Sequence, residues 1–447
     1  ECTFLSLFQA SRLNSKADEV SQPITTKIEH STFKKDVLLE NNELGFVELH
    51  HNTFAATFSL NQTDIKKNFT MANTTFKELD FSRAVFSAQC KFYNVTFQGD
   101  LNIGNKERQS AQYTIFEKGF YLDECRVLGE FVGKGVKIAH GCSFAKTHFS
   151  DTVDLSQLNR TAPPKTTTAT EDTQEQTTAL PETEPTETTT ANVGEIPPLT
   201  PFANIETPAP FGELQTSSPA LDSIFGSSTQ GLTSTTNKDA TKKEKVYSCS
   251  LNIKKCVFEQ EVTFSEASLK TCSLEECEFR GTFDFTSVEV KGAMTSQYVA
   301  FLKKADFTHT TFHGLARFGE PPDTRKVVKK LEEGKRLATT FHNAAWFAKT
   351  NFHDLADFSE CIFYGNVNWS EATFGEIIPK ERQRQKVHDF RNTKFYGEVD
   401  FHRTKMASSI DFSVTNKKYR SGTFFQKRAL FQFLPAEGYA NKTLRLW

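Results

Sequence analysis

Residues 341–374 read FHNAAWFAKTNFHDLADFSECIFYGNVNWSEATF, and their large apolar residues fall at Phe341, Phe347, Phe352, Phe358, Phe363, Trp369 and Phe374. The steps alternate between six and five. Two positions before most of these residues stands a small or β-branched one: Ala345, Thr350, Ala356, Cys361, Val367 and Ala372. Steps of five and six mark no single face of a helix, so an amphipathic helix is excluded. The same spacing runs back through Phe301, Phe307, Phe312 and Phe318, and on through Phe390, Phe395, Phe401, Met406 and Phe412. It keeps its phase across two longer gaps, so insertions at 319–338 and 376–387 leave a coil and return to it.

Working outward, the pattern recurs at Phe258, Phe264, Leu269, Leu274, Phe279, Phe285 and Val290. It also runs at Phe76, Phe81, Phe86, Phe92 and Phe97, and from Phe116 to Leu155. Units such as Ala84-Val85-Phe86-Ser87-Ala88 and Ala372-Thr373-Phe374-Gly375-Glu376 resemble the pentapeptide-repeat family in its Phe-rich form. The resemblance implies a right-handed, four-sided β-helix, with the central Phe and the small residue two before it pointing inward. The alternating sixes depart from a strict five-residue unit and predict coils of about 21–22 residues. One coil cannot bury its own rings, but coils stacked at about 4.8 Å share a continuous Phe ladder. Each buried Phe contributes roughly 1.5–3 kcal/mol against the entropy of ordering the chain.

The fold class expected is therefore all-β: two four-sided β-solenoid blocks with short helical insertions and a disordered linker. The blocks cover 31–158 and 247–434, with the linker at 159–246. Residues 1–30 read as an N-terminal cap or extension, and 435–447 as a C-terminal cap, with Arg428 to Trp447 resembling the start of a capping helix. The first insertion holds a short basic helix capped by Asp323 or Thr324.

Composition narrows the function. The chain has 447 residues, 43 Phe beside 9 Tyr and 3 Trp, and 53 Lys and Arg against 55 Asp and Glu, for a net charge of −2. That balance argues against a nucleic-acid partner or an acidic DNA mimic. No apolar run reaches the ~20 residues of a membrane helix, so no membrane span is expected. Asn-X-Ser/Thr triplets at Asn61, Asn68, Asn73, Asn94, Asn159, Asn368 and Asn441 are candidate N-glycosylation sites. The Thr-, Pro- and Glu-rich linker reads as an O-glycosylated stalk, with Thr166, Thr167, Thr168, Thr188, Thr189 and Thr190 as acceptors. Together these place the protein outside the cell, in a eukaryote.

Chemistry finds little purchase. There are 9 Cys. Cys90, Cys142, Cys256, Cys272, Cys277 and Cys361 take the small inward position, while Cys2 and Cys249 fall off the ladder. Cys256 and Cys277 lie one coil apart, within reach of a disulfide, with buried thiols as the alternative. His309 and His313 have metal-like spacing, but a β-helix does not bring them onto one turn. Asp306, Asp357, Asp400 and Asp411, just before core Phe residues, read as outward polar positions. With no phosphate loop, nucleophile elbow, zinc motif or cofactor motif, no catalytic residue, metal or cofactor is expected. Leu302, His342, Tyr364 and Tyr396 form an outward apolar stripe, read either as a contact face for sugar or a neighbouring rod, or as ordinary cross-strand stacking. The leading expectation is an extracellular structural glycoprotein that self-associates end to end into a fibril or coat. The alternative is a surface adhesin or receptor ectodomain binding glycan or protein on a solenoid side.

Overall fold

A computed structural model of the chain describes residues 2–4, 8–9, 24–104, 113–160, 247–319, 339–375, 387–413, 423–435 and 444–445. The expected insertion helix, the linker threonines, Asn441 and the side chain of Cys2 lie outside what is described. Within it the fold is an all-β solenoid: short strands, each paired in parallel with the strand one coil before and one coil after. One coil shows the plan. Thr340–Phe341, Ala345–Trp346, Asn351–Phe352 and Ala356–Asp357 form its four sides, and Ile362–Phe363 pairs back onto Thr340–Phe341. We number the sides one to four in that order.

Side one carries an almost unbroken phenylalanine column. Phe4, Phe33, Phe54, Phe76 and Phe97 are followed by Val127, then by Phe149, Phe258, Phe279, Phe301, Phe341, Phe363, Phe395 and Phe425, each the register partner of the next. Neighbouring rings stack face to face, as at Phe341 and Phe363, with centroids 4.6 Å apart. At the strand spacing this column is roughly 60 Å long.

The alternation of five and six has a backbone cause. Between Phe307 and Met406 each uninterrupted five-residue step contains one residue with positive φ two places after the core ring: His309, Lys349, Glu360, Glu371, Asn392 and Arg403. That left-handed residue turns the corner in fewer positions, although none of these is glycine. The strain is borne because stacked coils fix the corners from both sides. The inward residue that follows is often Thr or Cys, and its side chain donates to a carbonyl of the coil before. Thr350 donates to Phe307 O at 2.7 Å, Thr393 to Phe358 O at 2.8 Å and Thr404 to Trp369 O at 2.9 Å. Each buried hydroxyl thereby finds an acceptor, sharing a corner carbonyl that also accepts a backbone N–H, from Thr310, Cys361 and Ala372 respectively.

The two blocks are stacked on each other. His140–Ala145 pairs with Cys249–Lys254, His148–Phe149 with Val257–Phe258, and Val153–Asp154 with Val262–Thr263, so one sheet runs through both. The seam is incomplete only on side three, where residues 157–160 stand in for a strand. Asn159 repairs the gap with its side chain: Oδ1 accepts from Ile138 N at 2.7 Å and Nδ2 donates to Ile138 O at 2.9 Å.

Both ends carry strands. Within 1–30, Cys2–Phe4, Phe8–Gln9 and Ile24–Glu29 are strands paired to the following coil, so this segment adds to the solenoid. The capping helix read from Arg428 onward is corrected: Ala429–Pro435 is a strand on Val399–Met406, and Leu444–Arg445 pairs with Ile410–Asp411. Ala429, Phe431 and Phe433 alternate with polar or exposed residues, and that period of two buries them against the coil before.

Candidate contact surface

The outward stripe stands where the register requires, one residue after the core column on side one. His342 and Tyr364 stack at 4.9 Å and Tyr364 and Tyr396 at 5.2 Å, while Leu302 precedes them by one coil. Phe424 extends the stripe, edge-on to Tyr396 at 5.8 Å. The coil spacing nearly equals a ring-stacking distance, so the stripe is favourable as a side-chain ladder in its own right.

Across the next corner lies a groove that sequence reading missed. Gly365 and Gly397 form that corner, and a Cβ on either would fall 2.3 Å or less from the backbone of the coil before, so only glycine lets the coils approach there. Trp346, Asn368, Asp400 and Leu430 are successive outward residues of side two. Asn366, Glu398 and Arg428 line the corner beside them, with Val367 and Val399 between the two columns. Together they enclose about 360 Å³. Trp346 is 41 % exposed, whereas Trp369 is fully buried.

Comparison with protein-family models, with curated proteins and with solved structures returns no match. The reading of this surface therefore rests on its own geometry.

The carboxylates before core rings turn out to be corner acceptors, and of the four read as outward Asp357 and Asp411 are buried. Oδ1 of Asp306 accepts from Thr308 N at 3.0 Å, Asp357 from Ser359 N at 3.1 Å, Asp400 from His402 N at 2.7 Å and Asp411 from Ser413 N at 2.9 Å. Each closes a turn across the ring it precedes. On side four Asp357, Asp389 and Asp411 are stacked and buried. Burial and the neighbouring Asp389 raise the Asp357 pKa, while Arg317, at 3.0 Å from its Oδ2, opposes the shift. Beside them His388 fills an inward position held by alanine in the two coils before, and is completely buried. Its Nδ1 accepts from Ala356 N at 3.2 Å and its Nε2 donates to Gly375 O at 3.0 Å. Thus His388, like Asn159, supplies with a side chain the bonds that a neighbouring excursion removes from the backbone ladder. Burial lowers its pKa to about 4. His313 and His353 stack at 4.9 Å, and among the described residues no group of three or more His, Cys, Asp or Glu has the geometry to hold a metal ion.

The bridge between Cys256 and Cys277 is corrected: both are free thiols. Cys256 Sγ donates to Phe144 O at 3.4 Å and Cys277 Sγ to Ile253 O at 3.4 Å, the same corner bonds that threonine makes elsewhere. Cys249 is not off the ladder but fully buried, and Cys125 joins it inside. Burial pushes the thiols of Cys125, Cys249 and Cys277 up to about 12, which leaves them protonated and unreactive.

The candidate glycan acceptors divide. Asn68, Asn73 and Asn94 are exposed, the last two at left-handed corners one coil apart, with Asn94 Nδ2 donating to Asn73 Oδ1 at 2.7 Å. Asn61 is half-buried, and Asn368 lines the groove with its Oδ1 accepting from Ser370 N at 2.7 Å. Asn159 is 1 % exposed and its amide is spent on the seam, so the folded chain does not offer it as an acceptor.

Proposed function

We propose that the protein is an extracellular, non-catalytic structural glycoprotein of the pentapeptide-repeat kind, whose solenoids stack end to end into a filament or surface coat. The observation that carries this reading is the seam: two repeat blocks far apart in sequence already join end to end by backbone pairing and ring stacking, with no disulfide across them among the described residues. The last described coils carry core rings of the same kind that are only partly buried, Phe425, Phe431 and Phe433. Head-to-tail contacts that do not close generate filaments. The Thr-rich stretch between the blocks suits a glycosylated surface, and burial shields the free thiols from oxidants. Cryo-electron microscopy of the full chain, purified with its glycans from secreting cells, tests the reading across a concentration series. Filaments whose axial repeat fits a stacked rod are expected, with Phe431→Asp dispersing them. Single rods at every concentration would end it. The second reading, a surface adhesin or receptor ectodomain, is favoured by one observation, the groove on side two.

A further inference from the structure

We propose that the groove on side two is a binding site for a short neutral oligosaccharide, with Trp346 as its stacking platform. This does not depend on filament formation.

Three features carry the assignment. The first is the indole. An outward residue on side two is normally small or polar, and in the coils before and after Trp346 the same place holds Asp306 and Asn368. A 41 % exposed tryptophan there adds nothing to the core, yet it is held: Lys304 Nζ lies 3.6 Å from the ring centroid, and Lys304 is itself paired with Asp306 at 2.9 Å. Lys304 is not among the residues lining the groove, so the cation steadies the ring without occupying the groove. A fixed aromatic ring beside a cleft stacks on the C–H face of a pyranose without paying to order itself.

The second feature is the polar complement. Asn366, Asn368, Glu398, Asp400 and Arg428 all face one cleft, supplying amide, carboxylate and guanidinium groups. Neighbouring sugar hydroxyls, each both donor and acceptor, match that mixture. Among the described residues Glu398 and Arg428 form no ion pair, although they stand on adjacent coils of the corner column. Two carboxylates against one guanidinium disfavour a phosphate or any polyanion, and the polar walls disfavour a lipid chain. What remains is an uncharged polyhydroxyl ligand.

The third is size. About 360 Å³, running along successive coils from Trp346 to Leu430, falls at the small end of ligand sites and accommodates two or three sugar rings. The ligand has two possible sources, an external saccharide or a glycan attached to Asn368 in the groove itself.

The test uses the full chain made in a bacterial host, so that Asn368 is bare. Chitotriose, cellotriose and mannotriose are titrated while tryptophan fluorescence is read. At least one is expected to change the emission saturably, with Trp346→Ala weakening binding at least about tenfold and Glu398→Ala weakening it less. Because both side chains are exposed, an unchanged melting temperature certifies the variants as folded. No response to any of the three, or a response that survives Trp346→Ala, overturns the proposal. Material from secreting eukaryotic cells separates the sources. An Asn368-linked glycan on the mass spectrum that blocks the titration identifies the chain's own glycan as the occupant, and a bare Asn368 that still binds identifies an external one.

Discussion

Acidification from pH 6.5 to pH 4 will cost the solenoid about 3 kcal/mol through His388 alone. In the unfolded chain this imidazole titrates near 6.5, while in the folded one burial holds its pKa at about 4. Between those values the unfolded state takes up the proton first, so stability is full above pH 6.5 and falls as the pH drops, levelling off below about 4. Protonation also strikes at the bond network, because Nδ1 must stop accepting from Ala356 N–H once it carries a proton. Asp357 acts in the opposite sense. Its folded pKa is raised, so its charged form weighs on the fold at neutral pH and that burden eases as it protonates. The two are separated with His388→Ala, which restores the residue of the preceding coils but leaves Ala356 N–H and Gly375 O unmatched. Urea denaturation at pH 4, 5, 6 and 7 should find the variant less stable at pH 7 by roughly 3 kcal/mol. Its pH slope between 4 and 6.5 should be nearly flat compared with the parent. An unchanged slope would mean that another group drives the acid transition.

Severing the polypeptide between the blocks should leave one particle. With a site-specific protease sequence inserted at Pro198 and then cut, the two pieces are expected to co-elute on size exclusion in native buffer and to separate only in denaturant. On sides one, two and four the seam is built like every other coil junction. Phe149 and Phe258 stack at 4.8 Å with planes 3° apart, and Phe258 and Phe279 stack at 4.8 Å with planes 5° apart. Each ring kept from water at the joint contributes roughly 1.5–3 kcal/mol, and exposed polar contacts such as His148–Glu259 add little. Two pieces that part in native buffer would show the joint to be sustained by the tether alone, and would remove the main support for end-to-end assembly.

The spacing of phenylalanines was enough to predict the solenoid, because core rings on a coil leave a period that no helix imitates. The same reading separated the chain into blocks, yet nothing in residues 139–160 or 247–269 says that the two ladders are in register. Register across the seam is a property of strands far apart in sequence. The terminal strand was missed because Ala429, Phe431 and Phe433 alternate by two and not by five and six. The groove was illegible for a related reason: Trp346, Asn368, Asp400 and Leu430 are scattered along the chain and meet only by stacking. The sequons proved ambiguous on physical grounds. Left-handed corners favour asparagine, the next position is inward and small, and the one after is an outward strand residue, often Thr. Asn73-Thr74-Thr75 and Asn94-Val95-Thr96 obey that rule, and Asn368-Trp369-Ser370 is a side-chain-capped turn. The fold alone thus writes Asn-X-Thr. Cys256 and Cys277 misled similarly, since proximity suggested a bridge, whereas each thiol is turned to a carbonyl of the coil before.

The seam's incomplete third side has a mechanical meaning. Inter-coil hydrogen bonds run along the long axis, so tension between the two ends loads each junction in series, and the junction lacking one side yields first. The 86 residues between positions 160 and 247 then set an upper bound of roughly 300 Å on the chain that can be drawn out. Force spectroscopy should record that release as the first long step, ahead of the shorter ones from single coils peeling away. When force falls, the halves still belong to one polypeptide, and a second pull after a pause at low force is expected to record the same first step.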